Sequence, residues 1–294
     1  MREAANARSR KRAKPQTRVD FSARFRHNAG GIRKSAGLPK GANMNLAEAI
    51  DARRSRRRYL GTPLDPGAVS RLRELAEEYG GAANARMELV AGDGAAFRGF
   101  RKSYGMFSSV CDYVGLIADK SDAGAAERLG YYGELLVLHA TAMGLGTCWA
   151  GISAGRSDMP FPLSGGEALA CAIVLGNAAE KDSLKERLIR GIAHRKTKSA
   201  GEMLEIDGPA PDWFMRGMAA AEKAPSAMNR QPVRFGWKGG RASASLAAPA
   251  KPSGVLDPGL LLVDLGIAKL HFEIGAGGGK WEWGSGGAFS RPGG

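Results

Sequence analysis

Cysteine is scarce, with three in 294 residues. Cys111, Cys148 and Cys171 lie far apart, are odd in number and form no Cys-x-x-Cys pair, which argues against a disulfide framework and a structural metal knot. Long apolar runs are missing as well. The longest apolar window, Leu135 to Met143, is broken by His139 and Thr141 and suits a buried helix, not a membrane span. His139 sits inside that apolar stretch, where a histidine is more often a bonded core residue than a ligand, so no metal is expected. No secretory apolar region is visible, and the expected setting is reducing and cytoplasmic.

Acidic residues are nearly absent from residues 1–43. That segment holds 12 Lys/Arg and 2 Asp/Glu, a net +10, and with totals of 43 and 29 the other 251 residues keep 31 and 27, a net +4. The overall charge of +14 therefore belongs to the amino-terminal segment and not to the body. With little periodic hydrophobicity, residues 1–43 read as a disordered basic extension. Three readings stay open for it: a nucleic-acid or membrane-surface arm, a targeting presequence, or sequence upstream of a start at Met44. Met44-Asn45-Leu46 opens the first clear helix and favours the last.

What is present begins with that helix, whose Leu46, Ala49 and Ile50 share one face. It runs into Arg53-Arg54-Ser55-Arg56-Arg57, where guanidinium donors around a hydroxyl could cradle a phosphate. A solvated charged helix end is the commoner fate of such a run. Asp65-Pro66 starts a second helix, with Val69, Leu72, Leu75, Ala76 and Tyr79 on its apolar face and Gly80-Gly81 as its stop. Strands are expected at Met87–Ala91, Val110–Ala118 and Ala168–Leu175. Central helices are expected at Tyr131–Met143 and Leu260–Ile274, with a further helix at Asp212–Lys223 and a low-complexity link over Ala242–Pro252. Gly275 to Gly279 follows a helix, whereas dinucleotide fingerprints open one, so a Rossmann site is rejected.

The stretch Ala224-Pro225-Ser226-Ala227-Met228-Asn229-Arg230-Gln231-Pro232 is a polar corner between a helix and an extended run. Pro232 is expected to hold Gln231 extended. A weak internal repeat runs through the chain. His139 and Trp149 are ten apart, as are His271 and Trp281; Gly146 and Gly278 each lie three before the tryptophan. Glu77 to Asn84 and Glu222 to Asn229 match in the same way.

Four of these segments resemble the FMN-dependent nitroreductase family: Arg53 to Tyr59, Gly144 to Trp149, Lys196-Thr197-Lys198, and the Pro225-Ser226-x-x-Asn229 corner. In ordinary members the Pro-Ser-x-x-Asn corner comes soon after the arginine segment; here it comes late. The repeat supplies an explanation. The chain resembles a single-chain branch of the family, a fused pseudo-dimer in which the first half brings the cradle and the second brings the corner.

The resemblance implies an α+β fold, a nitroreductase-like sandwich of two tandem halves with mixed, mainly antiparallel sheets flanked by helices. The halves are expected at residues 44–207 and 208–285, with a flexible tail at 286–294. It also implies one tightly bound FMN, with NAD(P)H as reductant and a nitroaromatic, quinone or similar small molecule as electron acceptor. Arg53, Arg54, Ser55, Arg57, Lys196 and Lys198 would hold the phosphate end, with Arg195 in reserve. Cys148, Trp149, Ala150, Gly151 and Ile152 would lie beside the ring edge, and Pro225, Ser226, Ala227 and Asn229 would close the site. No catalytic side chain is assigned. The protein would be a monomer with no membrane or nucleic-acid partner. Two other readings remain: a flavin enzyme of different chemistry on the same scaffold (dehalogenation, dehydrogenation or flavin destruction), or a flavin-free protein that binds nucleic acid through its basic extension.

Overall fold

Local chemistry sets the helix starts. In the computed structural model, which describes residues 44–98, 106–151, 160–179, 198–247 and 258–291, helix α1 (Leu46–Ala52) opens on a capping box. The Glu48 N–H donates to Asn45 Oδ1 at 2.9 Å, and the Asn45 N–H donates to the Glu48 carboxylate at 2.8 Å. Helix α2 (Pro66–Ala82) starts on Asp65, whose carboxylate accepts from the Gly67 and Ala68 N–H groups. It runs on through Gly80-Gly81, where a stop was expected. Asn84 ends the turn in the left-handed region at φ 49°, and the Ala85 N–H returns to the Gly80 carbonyl.

Strands β1 (Arg86–Val90), β2 (Asp112–Asp119), β3 (Gly146–Ala150) and β4 (Glu167–Gly176) form one sheet in the order β1-β2-β4-β3, antiparallel throughout. Helix α3 (Ala125–Ala142) connects β2 to β3. The chain continues through the short α4 (Ala200–Met203) and β5 (Leu204–Ile206) to helix α5 (Asp212–Ala221). Strands β6 (Val233–Lys238), β7 (Arg241–Leu246), β8 (Lys280–Trp281) and β9 (Gly287–Ser290) form a second sheet, with helix α6 (Pro258–Gly275) between β7 and β8. Its order is β5-β6-β7-β9-β8. Setting β5 aside, the second sheet repeats the first: two strands, a long helix, an edge strand, then a return strand placed inside that edge.

Three expectations are corrected here. Strand β5 pairs in parallel with β6, so the second sheet begins before the boundary expected at residue 207. Strand β7 occupies the start of the expected link, because Gly239 and Gly240, both at positive φ, make a tight hairpin from β6. Strand β9 lies where a flexible tail was expected and pairs with both β7 and β8.

Helices α3 and α6 pack against each other at the centre. A Cβ on Gly130 would lie 2.1 Å from the Val263 carbonyl oxygen, and one on Gly266 would lie 1.9 Å from that of Glu127. Only glycine on both helices permits so close a backbone approach. Around the crossing the core is not purely apolar. The wholly buried Lys269 ammonium meets Glu127 Oε1 at 2.5 Å and the Glu282 and Gly284 carbonyls at 2.8 and 2.9 Å. The Gly284 N–H donates to the other Glu127 oxygen at 2.6 Å. Such a pair is tolerated because both charges are bonded as well as matched. No helix among the described residues is long and apolar enough to cross a membrane. The basic extension lies outside them.

Candidate functional site

Arg53 caps α1 in an extended conformation and turns the chain out of the helix. The following residues run alongside β3: Ser55 bridges Thr147 in parallel, and the Arg56 N–H donates to the Thr147 carbonyl at 2.8 Å. The arginine segment and the expected ring-edge strand are therefore neighbours along one sheet edge. Arg54 points elsewhere. Its Nη1 donates to the Asp51 and Arg53 carbonyls at 2.7 and 2.8 Å, which closes the end of α1. Arg57 is half-buried, and its carbonyl accepts from the Ser108 N–H at 3.0 Å.

On β3, Cys148 and Ala150 are buried, in keeping with a packing role for the thiol. Gly151 is exposed, and among the described residues no atom outside its chain neighbours lies within 4 Å of where its Cβ would stand. The Trp149 indole N–H turns inward and donates to Glu134 Oε2 at 2.6 Å. Glu134, on α3, is fully buried. Its other oxygen lies 2.9 Å from His271 Nε2 and 3.8 Å from Arg53 Nε. His271 Nδ1 lies 3.2 Å from the Ala220 carbonyl oxygen. Both ring nitrogens thus face oxygen atoms, one of a carboxylate and one of the main chain.

The Pro225 corner is built on a 3-10 turn over Ala227–Asn229. Ser226 Oγ accepts the Gln231 N–H at 2.9 Å, and the Ala227 N–H donates to both oxygens of Asp264 on α6, at 3.0 and 3.2 Å. Met228, Asn229 and Gln231 all have positive φ, at 53°, 53° and 45°. That corrects the extended conformation expected of Gln231: the closing bond to Ser226 outweighs the pre-proline preference. Burial pushes the Asp264 carboxyl up to about 7, against the opposing Ala227 N–H and the nearby Arg230. Lys198 lies on the same corner, donating from its backbone to Gln231 Oε1 at 2.7 Å and from Nζ to the Gln231 carbonyl at 2.8 Å. Burial and the neighbouring Arg234 lower its pKa.

These pieces meet. An ion pair between Asp51 and Lys223 joins the ends of α1 and α5, two residues before Arg53 and two before Pro225. Glu134 and His271 tie Arg53, Trp149 and the end of α5 together from beneath. Ile152, Lys196 and Arg195 lie outside the described residues. A surface depression of about 350 Å³ lies elsewhere, between α2 and β1 beside Arg73, Glu77 and Arg86. It contains none of the groups above, and the chemistry is concentrated at the arginine segment instead. A void of about 10 Å³ sits under the corner beside Ser226, Gln231 and Asp264. No set of three or more His, Cys, Asp or Glu side chains suited to a metal occurs among the described residues.

Glu134, His271, Asp264 and Gln231 escaped assignment as site residues in the sequence reading. The first three do carry a signal there, as polar groups inside the most apolar helices, which must find partners when buried.

A family model described as "Putative TM nitroreductase" matches residues 45–276. Among solved structures, a "putative nitroreductase" from Thermotoga maritima aligns at 21% identity and TM-score 0.57, over 88% of this chain and 97% of that one. A nitroreductase with bound FMN from Desulfitobacterium hafniense aligns at 17% identity and TM-score 0.38, over 47% of this chain and 92% of its own. A "putative nitroreductase in complex with FMN" from Desulfovibrio desulfuricans gives 19% and 0.38, over 49% and 95%. No curated protein matches. The first of these likenesses shows the fold, and the family match spans well over half the chain: the protein belongs to this nitroreductase family.

Proposed function

We propose that the protein is an FMN-dependent oxidoreductase that holds one flavin per chain in a fused pseudo-dimer. The observation that carries this reading is that Arg53 and Trp149 meet at the buried Glu134, whose partner His271 is tied to Ala220 of α5, the helix that leads into the Pro225–Asn229 corner. The donor set suits a phosphate. Arg53 is backed on its buried Nε side by Glu134, its Nη1 lies 3.5 Å from Ser55 Oγ, Ser55 is exposed, and Arg57 follows. The open space beside Gly151 suits the approach of a flat ring.

In this reading Arg53, Ser55 and Arg57 anchor the phosphate end, with Lys198 contributing from beside the corner and Lys196 assigned to the same role by the family resemblance alone. Arg54 is left to close α1. The backbone of Gly151 would face the ring edge, with Ile152 assigned beside it by the family resemblance alone, and the corner from Pro225 to Asn229 would close over it. FMN held there would supply two-electron redox chemistry between NAD(P)H and a nitroaromatic, quinone or similar acceptor. The chain's part is to bind, orient and surround that ring with fixed charge. The repeated strand order of the two sheets supports the fused pseudo-dimer, and with it a monomer in solution; a cytoplasmic setting is part of the same proposal.

The test is a visible absorption spectrum of the purified protein, with flavin quantified after denaturation. The expected result is about one FMN per chain and NAD(P)H oxidation in the presence of a nitroaromatic. Two flavins per chain would sink the pseudo-dimer. A colourless protein that takes up no added FMN would sink the whole reading.

A further inference from the structure

We infer that Glu134 is a positioning residue for the flavin phosphate, acting through Arg53. The inference rests on the proposed FMN site but comes from a separate comparison within the chain. His271, Trp281 and Gly278 follow His139, Trp149 and Gly146 by the same step of 132 residues. At the α3–α6 crossing Gly130 meets Val263, the counterpart of its neighbour Tyr131, so the two helices cross close to equivalent positions. Carried along the same step, Glu134 falls on Gly266. The histidine, the tryptophan and the glycine recur in both halves, and the carboxylate does not. It stands only on the side that has the arginines.

The geometry says what it does there. Glu134 takes the Trp149 indole N–H at 2.6 Å, faces His271 at 2.9 Å and lies 3.8 Å from Arg53 Nε, all without exposure to solvent. In the other half the Trp281 indole N–H donates instead to a main-chain oxygen, that of Lys269, at 2.9 Å. Core packing therefore does not require a carboxylate under this tryptophan. An arginine whose side chain is only 11% exposed does require a counter-charge. With Glu134 behind its Nε edge and Ser55 Oγ 3.5 Å from its Nη1, the Arg53 fork is held in one orientation beside the exposed Ser55, which would preorganise it for a phosphate contact.

The test is FMN titration of the flavin-stripped full chain by fluorescence, in wild type, Glu134→Gln, Arg53→Ala and the double variant. Glu134→Gln keeps shape and one acceptor oxygen, and it should weaken FMN binding about tenfold, in line with loss of a charge-assisted contact. In the Arg53→Ala background the same change should have less than about a twofold effect. A tenfold loss in both backgrounds would mean a merely structural role and overturn the inference. Trp149→Phe covers the case in which Glu134→Gln fails to fold. By loosening Glu134 it should weaken FMN about threefold, again only while Arg53 is present. A readout independent of flavin is the indole N–H resonance of Trp149, which should shift on Glu134→Gln in the free protein. An unmoved resonance overturns the geometry. A wild-type chain that takes up no FMN overturns the functional reading and this inference together, whereas equal FMN affinity in wild type and variants overturns this inference alone.

Discussion

The two halves of the molecule use one plan for opposite ends. Each has a long helix leading to an edge strand that bears a tryptophan, Trp149 on β3 and Trp281 on β8. In the first half the tryptophan is tied to a buried carboxylate, with an arginine segment running along the strand. In the second it is packed into rings: Phe235, Phe272 and Phe289 lie with centroids 6.1, 5.3 and 4.8 Å away. The turns that follow α2 and α5 differ in the reverse sense. The first is a plain helix end closed by Asn84; the second is an elaborate corner held by Asp264, Ser226 and Gln231. A symmetric dimer would repeat both features twice. Here the two halves differ, and the position related to the arginine segment's tryptophan by the repeat is packed into aromatic core.

The helix crossing offers the harshest way to break that comparison. Gly266→Ala places a methyl 1.9 Å from a main-chain oxygen that cannot move without shifting α3. We expect a loss of about 3 kcal/mol or more in urea denaturation. Gly151→Ala, whose Cβ would meet nothing within 4 Å, should cost under about 0.5 kcal/mol. Equal effects at the two positions would show that the helices can part freely and that the halves are not locked by this contact.

The two buried carboxyls of α6 allow a milder test. Asp264 lies under the corner, and burial raises its pKa to about 7; Glu273 lies against Tyr131 in the other direction, and burial raises its pKa to about 8. Both folded values exceed the unfolded ones, near 4. The folded state therefore holds protons that the unfolded state releases, and stability falls as pH rises from about 4 towards the folded pKa, by up to about 1.4 kcal/mol per pH unit for each group. Asp264→Asn removes one contribution. It should leave stability near pH 5 little changed and make the protein more stable than wild type at pH 8. Parallel curves for the two proteins would refute a buried, raised carboxyl at Asp264.

How far the sequence could be read follows from what periodicity reports. The long helices were legible because their apolar faces repeat, and α1 was legible from Leu46, Ala49 and Ile50. Strand β7 was not: Ala242 and Ala244 point inward, but alanine and serine have low strand preference and the segment resembles a linker. Strand β9 escaped because four residues among glycines carry little pattern. At the site, Arg53, Ser55 and the Pro225 corner stood out by resemblance and Glu134 did not, since periodicity marks which residues are buried and not which partner a buried charge will find. The His139–Trp149 and His271–Trp281 spacing was readable. The missing carboxylate in the second copy acquired meaning only when the structure showed what the first one touches.

The smallest effects separate backbone from side chain at the two turns. Asn84 and Asn229 both adopt left-handed conformations, at φ 49° and 53°. Asparagine tolerates that region better than alanine does, so Asn84→Ala and Asn229→Ala should each lower stability by about 1 kcal/mol, and the glycine variants should recover most of it. Flavin affinity should divide the pair differently. Asn84 has its side chain beside Asp122, at 3.4 Å, in the half with no corner, so neither of its variants should alter FMN binding. Asn229→Gly keeps the backbone and loses the amide; weaker FMN binding would assign the contact to that amide. Unchanged binding in Asn229→Gly but not in Asn229→Ala would instead make the left-handed backbone the requirement, leaving the main-chain groups of the corner to meet the ring.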